Sequence, residues 1–202
     1  MAVDNSYDES YVEYIRAFGW DVGHIDPRGK SNQVYIWESQ DLLRRKFLES
    51  DCEYYFSLES DIFPPFDIVE RLIAHELPIV GVPYFIDLGK ASYLLIQQLD
   101  VGISPKLDLT GYNMHPIASF MLMDGRLKLT NGNGIGCTLI HRDVIESVPF
   151  RIVDGMIYHS DSYFYEDLFL MGIENYIDTS IHIQHRNSDW GKITDMDYKE
   201  NK

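Results

Sequence analysis

Residues 53–65 read EYYFSLESDIFPP. The first six, Glu53–Leu58, form a short run rich in aromatic and apolar residues, which predicts a buried β-strand. Two carboxylates, Glu59 and Asp61, stand at its carboxyl end, and Pro64-Pro65 prevents the strand from simply continuing. In open α/β sheets ligands bind beyond the carboxyl ends of the strands. Side chains two apart on an extended segment point the same way, so Glu59 and Asp61 can face one hard cation such as Mg2+ or Mn2+. An acidic loop facing water is the plain alternative.

Working outward, helices and strands alternate. Glu9–Phe18 reads as a helix ended by Gly19, Asp21–Asp26 as a short strand, and Pro27–Asn32 as a polar loop. Trp37–Ser50 is helical, with Leu42, Leu43 and Phe47 on one side. Asp67–His75 is a second amphipathic helix and Pro78–Val82 an apolar strand. This order predicts an α/β sandwich with a mainly parallel central sheet.

The middle of the chain reads differently. Phe120–Met123 and Arg126–Leu129 flank Asp124-Gly125, the turn pair of a small antiparallel hairpin. Gly132, Gly134 and Gly136 make G-x-G-x-G, but no helix follows directly, so this is a poor dinucleotide fingerprint. Close backbone approach to a sugar and flexible turn chemistry are the two readings left. Cys137–Ile140 reads as a strand, Asp143–Ser147 as a short helix, and Glu166–Met171 as a helix ended by Gly172. Tyr176–Asp178 and Ile181–Gln184 read as late strands, and the last dozen residues as loose.

Composition sets limits. The 202 residues carry 17 Lys and Arg against 32 Asp and Glu, a formal charge of −15. That balance argues against broad contact with nucleic-acid phosphates, which needs a basic face. No apolar run approaches the roughly 20 residues of a membrane span. With no visible export signal, a cytoplasmic setting is the default. Cys52 and Cys137 are the only cysteines, and two reduced, buried thiols are expected. Fourteen tyrosines suit stacking on bases or sugars, and suit an ordinary core edge equally well.

The order of these segments resembles the GT-A-fold glycosyltransferases. Residues 53–65 look like that family's strand and DxD metal motif, with Glu59 in place of the first Asp. The resemblance includes the helix Ser39–Ser50 and the helix and strand Asp67–Val82. It continues in GIGCTLIHRDVIESVPF (134–150), YEDLFLMGIENYID (165–178) and IHIQH (181–185). It extends to the compact glycosyltransferases of archaeal viruses, which would place the protein in a host cytoplasm.

The resemblance implies a single GT-A-like catalytic domain over residues 1–190. Its nucleotide and metal half would span about 1–85, its acceptor half about 86–190, and a tail 191–202. It implies transfer of a sugar from a nucleotide-sugar donor to a hydroxyl of a saccharide, lipid or glycoprotein acceptor. Glu59 and Asp61 would hold Mn2+ or Mg2+ against the donor diphosphate, with His185 a further ligand and His182 its alternative. Asp167 would deprotonate the acceptor, with Glu166 the runner-up, implying inversion. Seen alone, that acidic pair reads as helix capping. Asp26 matches a position contacting base or ribose, and Arg28, Lys30, Arg44 and Arg45 add positive charge near the nucleotide end. One departure stands at the front: only Ala2–Asn5 is available for the opening strand, which is then absent, very short or supplied otherwise.

Competing readings are a sugar nucleotidyltransferase, a glycosyltransferase-like domain that binds a saccharide or partner without catalysis, and a glycosidase. The first needs a Gly-rich basic loop after the opening strand, and none is seen. The last needs two carboxylates at a set separation, which a sequence does not measure.

Overall fold

A computed structural model describes residues 1–87, 92–94, 96–99, 123–155 and 158–186. The described chain divides into two compact units, neither a continuous half of the sequence. One comprises Met1–Tyr55 and His141–Gly172, the other Phe56–Ile140 and Ile173–Lys202.

The first unit opens with β1 (Ala2–Asp4), α1 (Ser10–Arg16) and β2 (Val22–His24). β1 and β2 pair in parallel, Ala2 opposite Val22 and Asp4 opposite His24. The opening strand is thus present but only three residues long, and the helix between makes the crossover that parallel pairing requires. Gly19, at φ 83°, turns the chain out of α1, a conformation that glycine adopts without steric cost. α2 spans Asn32–Leu48, starting five residues before the expected Trp37. Leu42 packs so closely on β2 that a Cβ at Gly23 would lie 2.8 Å from its Cδ2.

α2 is tied to two later helices, α4 (Arg142–Ser147) and α5 (Ser160–Leu170), and to the segment between them. Arg44 donates to the carbonyls of Ile145 (2.8 Å) and Glu146 (3.1 Å), and Trp37 Nε1 donates to Phe150 O (2.9 Å). These bonds satisfy carbonyls at and beyond the end of a short helix, which has no intrahelical donor for them. Phe150, Phe164, Tyr165 and Leu168 are buried in this unit.

The second unit carries most of a six-stranded sheet in the order β3-β10-β5-β11-β9-β8. The strands are β3 (Tyr54–Leu58), β5 (Ile79–Gly81), β8 (Ile96–Leu99), β9 (Leu127–Asn133), β10 (Cys137–His141) and β11 (Asn175–Asp178). β5 and β11 pair in parallel. β10 pairs antiparallel with β5, and β9 antiparallel with both β11 and β8. β5, β11 and β8 therefore share one direction, as a parallel sheet would have them. The sheet is mixed because β9 and β10 run against them. The α/β class stands.

Two small ladders accompany the sheet. β6 (Phe85–Asp87) pairs antiparallel with β7 (Ser92–Leu94). β4 (Ile62–Phe63) pairs antiparallel with β12 (Gln184–His185). β4 stops where Pro64 cannot continue the ladder. α3 (Ile68–Ile73) buries Ile68 and Leu72. The core of this unit contains Ile79, Val80, Val82, Leu139, Ile140 and Ile177. Half of the expected hairpin is present: Gly125 turns at φ 83° and β9 starts at Leu127. Its other half, at residues 120–122, and the C-terminal dozen lie outside the described residues.

Two expectations are corrected. β9 runs on through Asn131–Asn133, into the Gly-rich segment for which a flexible turn is one of the two readings. Ladder bonds to β8 hold this segment extended, and that pairing cannot be seen locally. Cys52 is exposed, in the turn entering β3, whereas Cys137 is buried in β10; both are free thiols. Burial pushes the Cys137 thiol up to about 12.

No helix among the described residues is long and apolar enough to cross a membrane.

Candidate metal centre

At the carboxyl end of β3 the chain does not stay extended. Glu59-Ser60-Asp61-Ile62 is a turn closed by Ile62 N donating to Glu59 O at 3.1 Å. Glu59 and Asp61 are brought together by this turn, not by strand alternation. Glu59 N donates to Gly136 O at 2.9 Å, which anchors the turn to the link between β9 and β10.

The β4–β12 ladder supplies the third group. His185 lies opposite Ile62, and Arg186 N donates to Asp61 O at 3.0 Å. One ligand atom from each of Glu59, Asp61 and His185 falls within 4.8 Å of the others. His182 is exposed and is not in this group, which decides between the two histidines.

The group suits a divalent ion. His185 Nε2 and Asp61 Oδ2 are 2.9 Å apart. Two adjacent ligands of an octahedral ion, each about 2.1 Å from it, are separated by about 3 Å. Asp61 Oδ2 is buried yet accepts no well-directed hydrogen bond from the described residues. The two atoms therefore lie side by side, each able to face a common point. His185 Nδ1 is 3.0 Å from Phe85 O, so it donates there, which turns Nε2 toward Asp61 Oδ2. Two carboxylates and one imidazole match Mn2+ or related ions. The nitrogen donor favours them over Mg2+, which prefers oxygen throughout.

Burial pulls the His185 imidazole toward its neutral form. The Asp61 carboxylate, the Phe85 carbonyl and Glu59 outweigh that and hold its pKa above the ordinary 6.5.

Two residues that sequence reading did not single out shape this centre. Tyr84, 3% exposed, follows β5 by three residues. Its hydroxyl accepts from Gly136 N at 3.2 Å and faces Glu59 Oε2 at 3.5 Å. Its ring meets the His185 ring edge-on, with centroids 4.9 Å apart. Phe85 contributes only its carbonyl, for which side-chain chemistry gives no signal. For Tyr84 a signal existed: a residue just past a strand's carboxyl end, where sites gather.

Of the three glycines, Gly136 has a packing reason. A Cβ at Gly136 would lie 2.4 Å from Glu59 Oε2 and 2.5 Å from Ile62 Cδ1. Gly132 lies in β9, while Gly134 and Gly136 lie in the turn between β9 and β10, and none of the three has positive φ. Gly136 permits close approach by a carboxylate of the protein itself.

The remaining predicted residues belong to the first unit. Glu166 and Asp167 lie within α5, which begins six residues before Glu166. The helix-capping reading is therefore wrong, because Asp161, not this pair, occupies the first turn. Arg151 grips Asp167 at both oxygens, Nε to Oδ2 at 2.7 Å and Nη2 to Oδ1 at 2.8 Å, and reaches Glu166 Oε2 at 3.1 Å. A guanidinium fork of this kind stabilises the charged carboxylate. It also draws the Arg151 pKa above its ordinary value, chiefly through Asp167, while burial opposes.

Asp26 lies just past β2 and accepts from Arg28 N at 3.0 Å, the largest of the effects that lower its pKa. The four expected cations already have partners. Arg28 meets Asp26 and Glu9, Lys30 meets Glu38, Arg45 meets Asp41, and Arg44 holds the two α4 carbonyls. The tyrosines divide: Tyr7, Tyr11 and Tyr14 are exposed, whereas Tyr55, Tyr84, Tyr163 and Tyr165 are buried.

No family model and no curated protein sequence matches this chain. Among solved structures it is similar to the crystal structure of A197 from STIV, with 16% identity, 92% of this chain and 85% of that chain covered, and a TM-score of 0.48.

Proposed function

We propose that this chain is a GT-A-type, metal-dependent glycosyltransferase that moves a sugar from a nucleotide-sugar donor to an acceptor hydroxyl. The observation that carries this reading is the convergence of Glu59, Asp61 and His185 beyond the carboxyl end of β3. A divalent ion held there supplies positive charge to a departing diphosphate. Glu59 and Asp61 bind the ion as anions, and His185 binds as the neutral imidazole that its bond to Phe85 O orients. Mn2+ is the preferred ion and Mg2+ the weaker substitute. In a chain of charge −15 such a cation also offsets the repulsion that an anionic donor would otherwise meet.

Asp167 is the proposed base, with Glu166 its alternative and inversion the consequence. The Arg151 fork has to open before Asp167 can reach an acceptor hydroxyl, because both of its carboxylate oxygens are already engaged. Asp26 is the proposed contact to base or ribose. The acceptor is a saccharide, lipid or glycoprotein hydroxyl.

The same fork favours a second reading, a glycosyltransferase-like domain that binds a saccharide or a partner without catalysis. One assay separates the two: nucleoside diphosphate release across a panel of nucleotide-sugars and acceptors, with and without Mn2+. Metal-dependent release that is lost in Asp61→Ala and in Asp167→Asn supports transfer. Release from no donor, alongside saccharide binding, selects the binding domain. Neither release nor binding overturns both.

A further inference from the structure

We infer that Tyr84 is a positioning residue for the metal centre, setting its affinity by holding the longer of its two carboxylates. The inference rests on the metal-binding reading of Glu59, Asp61 and His185.

Of the three ligands, Glu59 is the exposed one. It is also the one with an extra methylene, so it has the most rotamer freedom to lose on binding an ion. Such a side chain ligates well only if something confines it. Tyr84 is placed to do so. Its hydroxyl oxygen accepts from Gly136 N, so its own proton remains to be given, and Glu59 Oε2 is the acceptor it faces. Gly136 meanwhile lacks the Cβ that would occupy the place of the Glu59 carboxylate.

The same short stretch orients a second ligand. The Tyr84 ring packs edge-on against His185, and the next residue's carbonyl accepts from His185 Nδ1. Residues 84 and 85 thus touch two of the three ligands. Glutamate at position 59 and tyrosine at position 84 belong together, since a side chain one methylene shorter falls back from a hydroxyl already 3.5 Å away.

The test is Mn2+ affinity of the purified full chain, by calorimetry or by the electron paramagnetic resonance signal of free Mn2+. Thermal melting without metal is followed in parallel. Tyr84→Phe keeps the ring and removes the hydroxyl, and its affinity is expected to fall about tenfold, the usual scale for a lost outer-sphere partner. In a Glu59→Ala background, which leaves the hydroxyl no side-chain acceptor at position 59, the same substitution is expected to have no further effect. Glu59→Asp keeps a carboxylate but gives up the tyrosine, so it too is expected to weaken binding; it serves should Tyr84→Phe fold poorly. Wild-type affinity in Tyr84→Phe or in Glu59→Asp overturns the inference and leaves the metal centre standing. An equal loss from Tyr84→Phe with and without Glu59 overturns it as well. Absence of Mn2+ binding by the unaltered chain overturns both.

Discussion

Adding one methyl group at Gly136 tests the centre without removing any of its ligands. The new Cβ would lie 2.4 Å from Glu59 Oε2, 2.7 Å from Glu59 Cδ and 2.5 Å from Ile62 Cδ1. All three atoms belong to side-chain ends, so the backbone need not move, and the φ of Gly136 is not positive, so alanine is not strained there. Overpacking costs typically about 1–3 kcal/mol. Glu59 is exposed and can swing into water, which puts the cost near the lower limit, with buried Ile62 contributing the rest. For a chain of this size about 1 kcal/mol corresponds to a drop of about 2–4 °C in Tm. Metal affinity responds far more, because the swing removes one ligand. A charge-assisted contact is worth about 1.5–3 kcal/mol, so Mn2+ affinity falls about tenfold to a hundredfold. Thermal melting without metal and Mn2+ titration measure the two effects. Gly136→Ala with wild-type Mn2+ affinity refutes the packing argument. A loss of more than about 4 kcal/mol, beyond what overpacking explains, refutes it too.

Other consequences can be measured. Since the His185 pKa is raised above 6.5 and only the neutral ring ligates, Mn2+ affinity should rise as pH passes upward through the raised value, and His185→Gln should flatten that profile. In metal-free protein the sign reverses. The stability gained from protonated His185 is fully present below the unfolded-state pKa and is lost as pH rises through the folded-state one, as urea melts across pH 5.5–8.5 should record. Arg142 donates to Cys52 O and Ser50 O, both at 2.8 Å, and lies over the Phe47 ring at 4.6 Å. Arg142→Ala should therefore cost about 2–3 kcal/mol in urea unfolding, with lysine restoring only part. A thiol reagent should modify one cysteine per native chain, Cys52, and a second only in denaturant.

Much of this was legible in local sequence. Most short strands and amphipathic helices appeared near where apolar spacing put them, but the strand expected at Ile181–Gln184 is Gln184–His185, held by pairing with β4 that local sequence does not register. The carboxylate pair after β3 was found from its place at a strand end. Helix starts were less legible. α2 begins at Asn32 and α5 at Ser160, because polar first turns such as Asn32–Tyr35 and Ser160–Tyr163 are stabilised by tertiary packing that periodicity does not register. The role of Asp167 was only half legible. Its residue type suits a base, but the guanidinium that restrains it lies 16 residues earlier, in a segment with no motif.

The sequence by itself determined the α/β class, the acidic balance and the identity of the two carboxylates, because these follow from composition, local spacing and the few residues flanking a strand. Tertiary structure decided which histidine joins them. His185 lies more than a hundred residues beyond Asp61, and only the β4–β12 register places it opposite Ile62 while His182 stays exposed. It also decided what the third glycine is for, since a missing Cβ acquires meaning only when another side chain comes to fill its place.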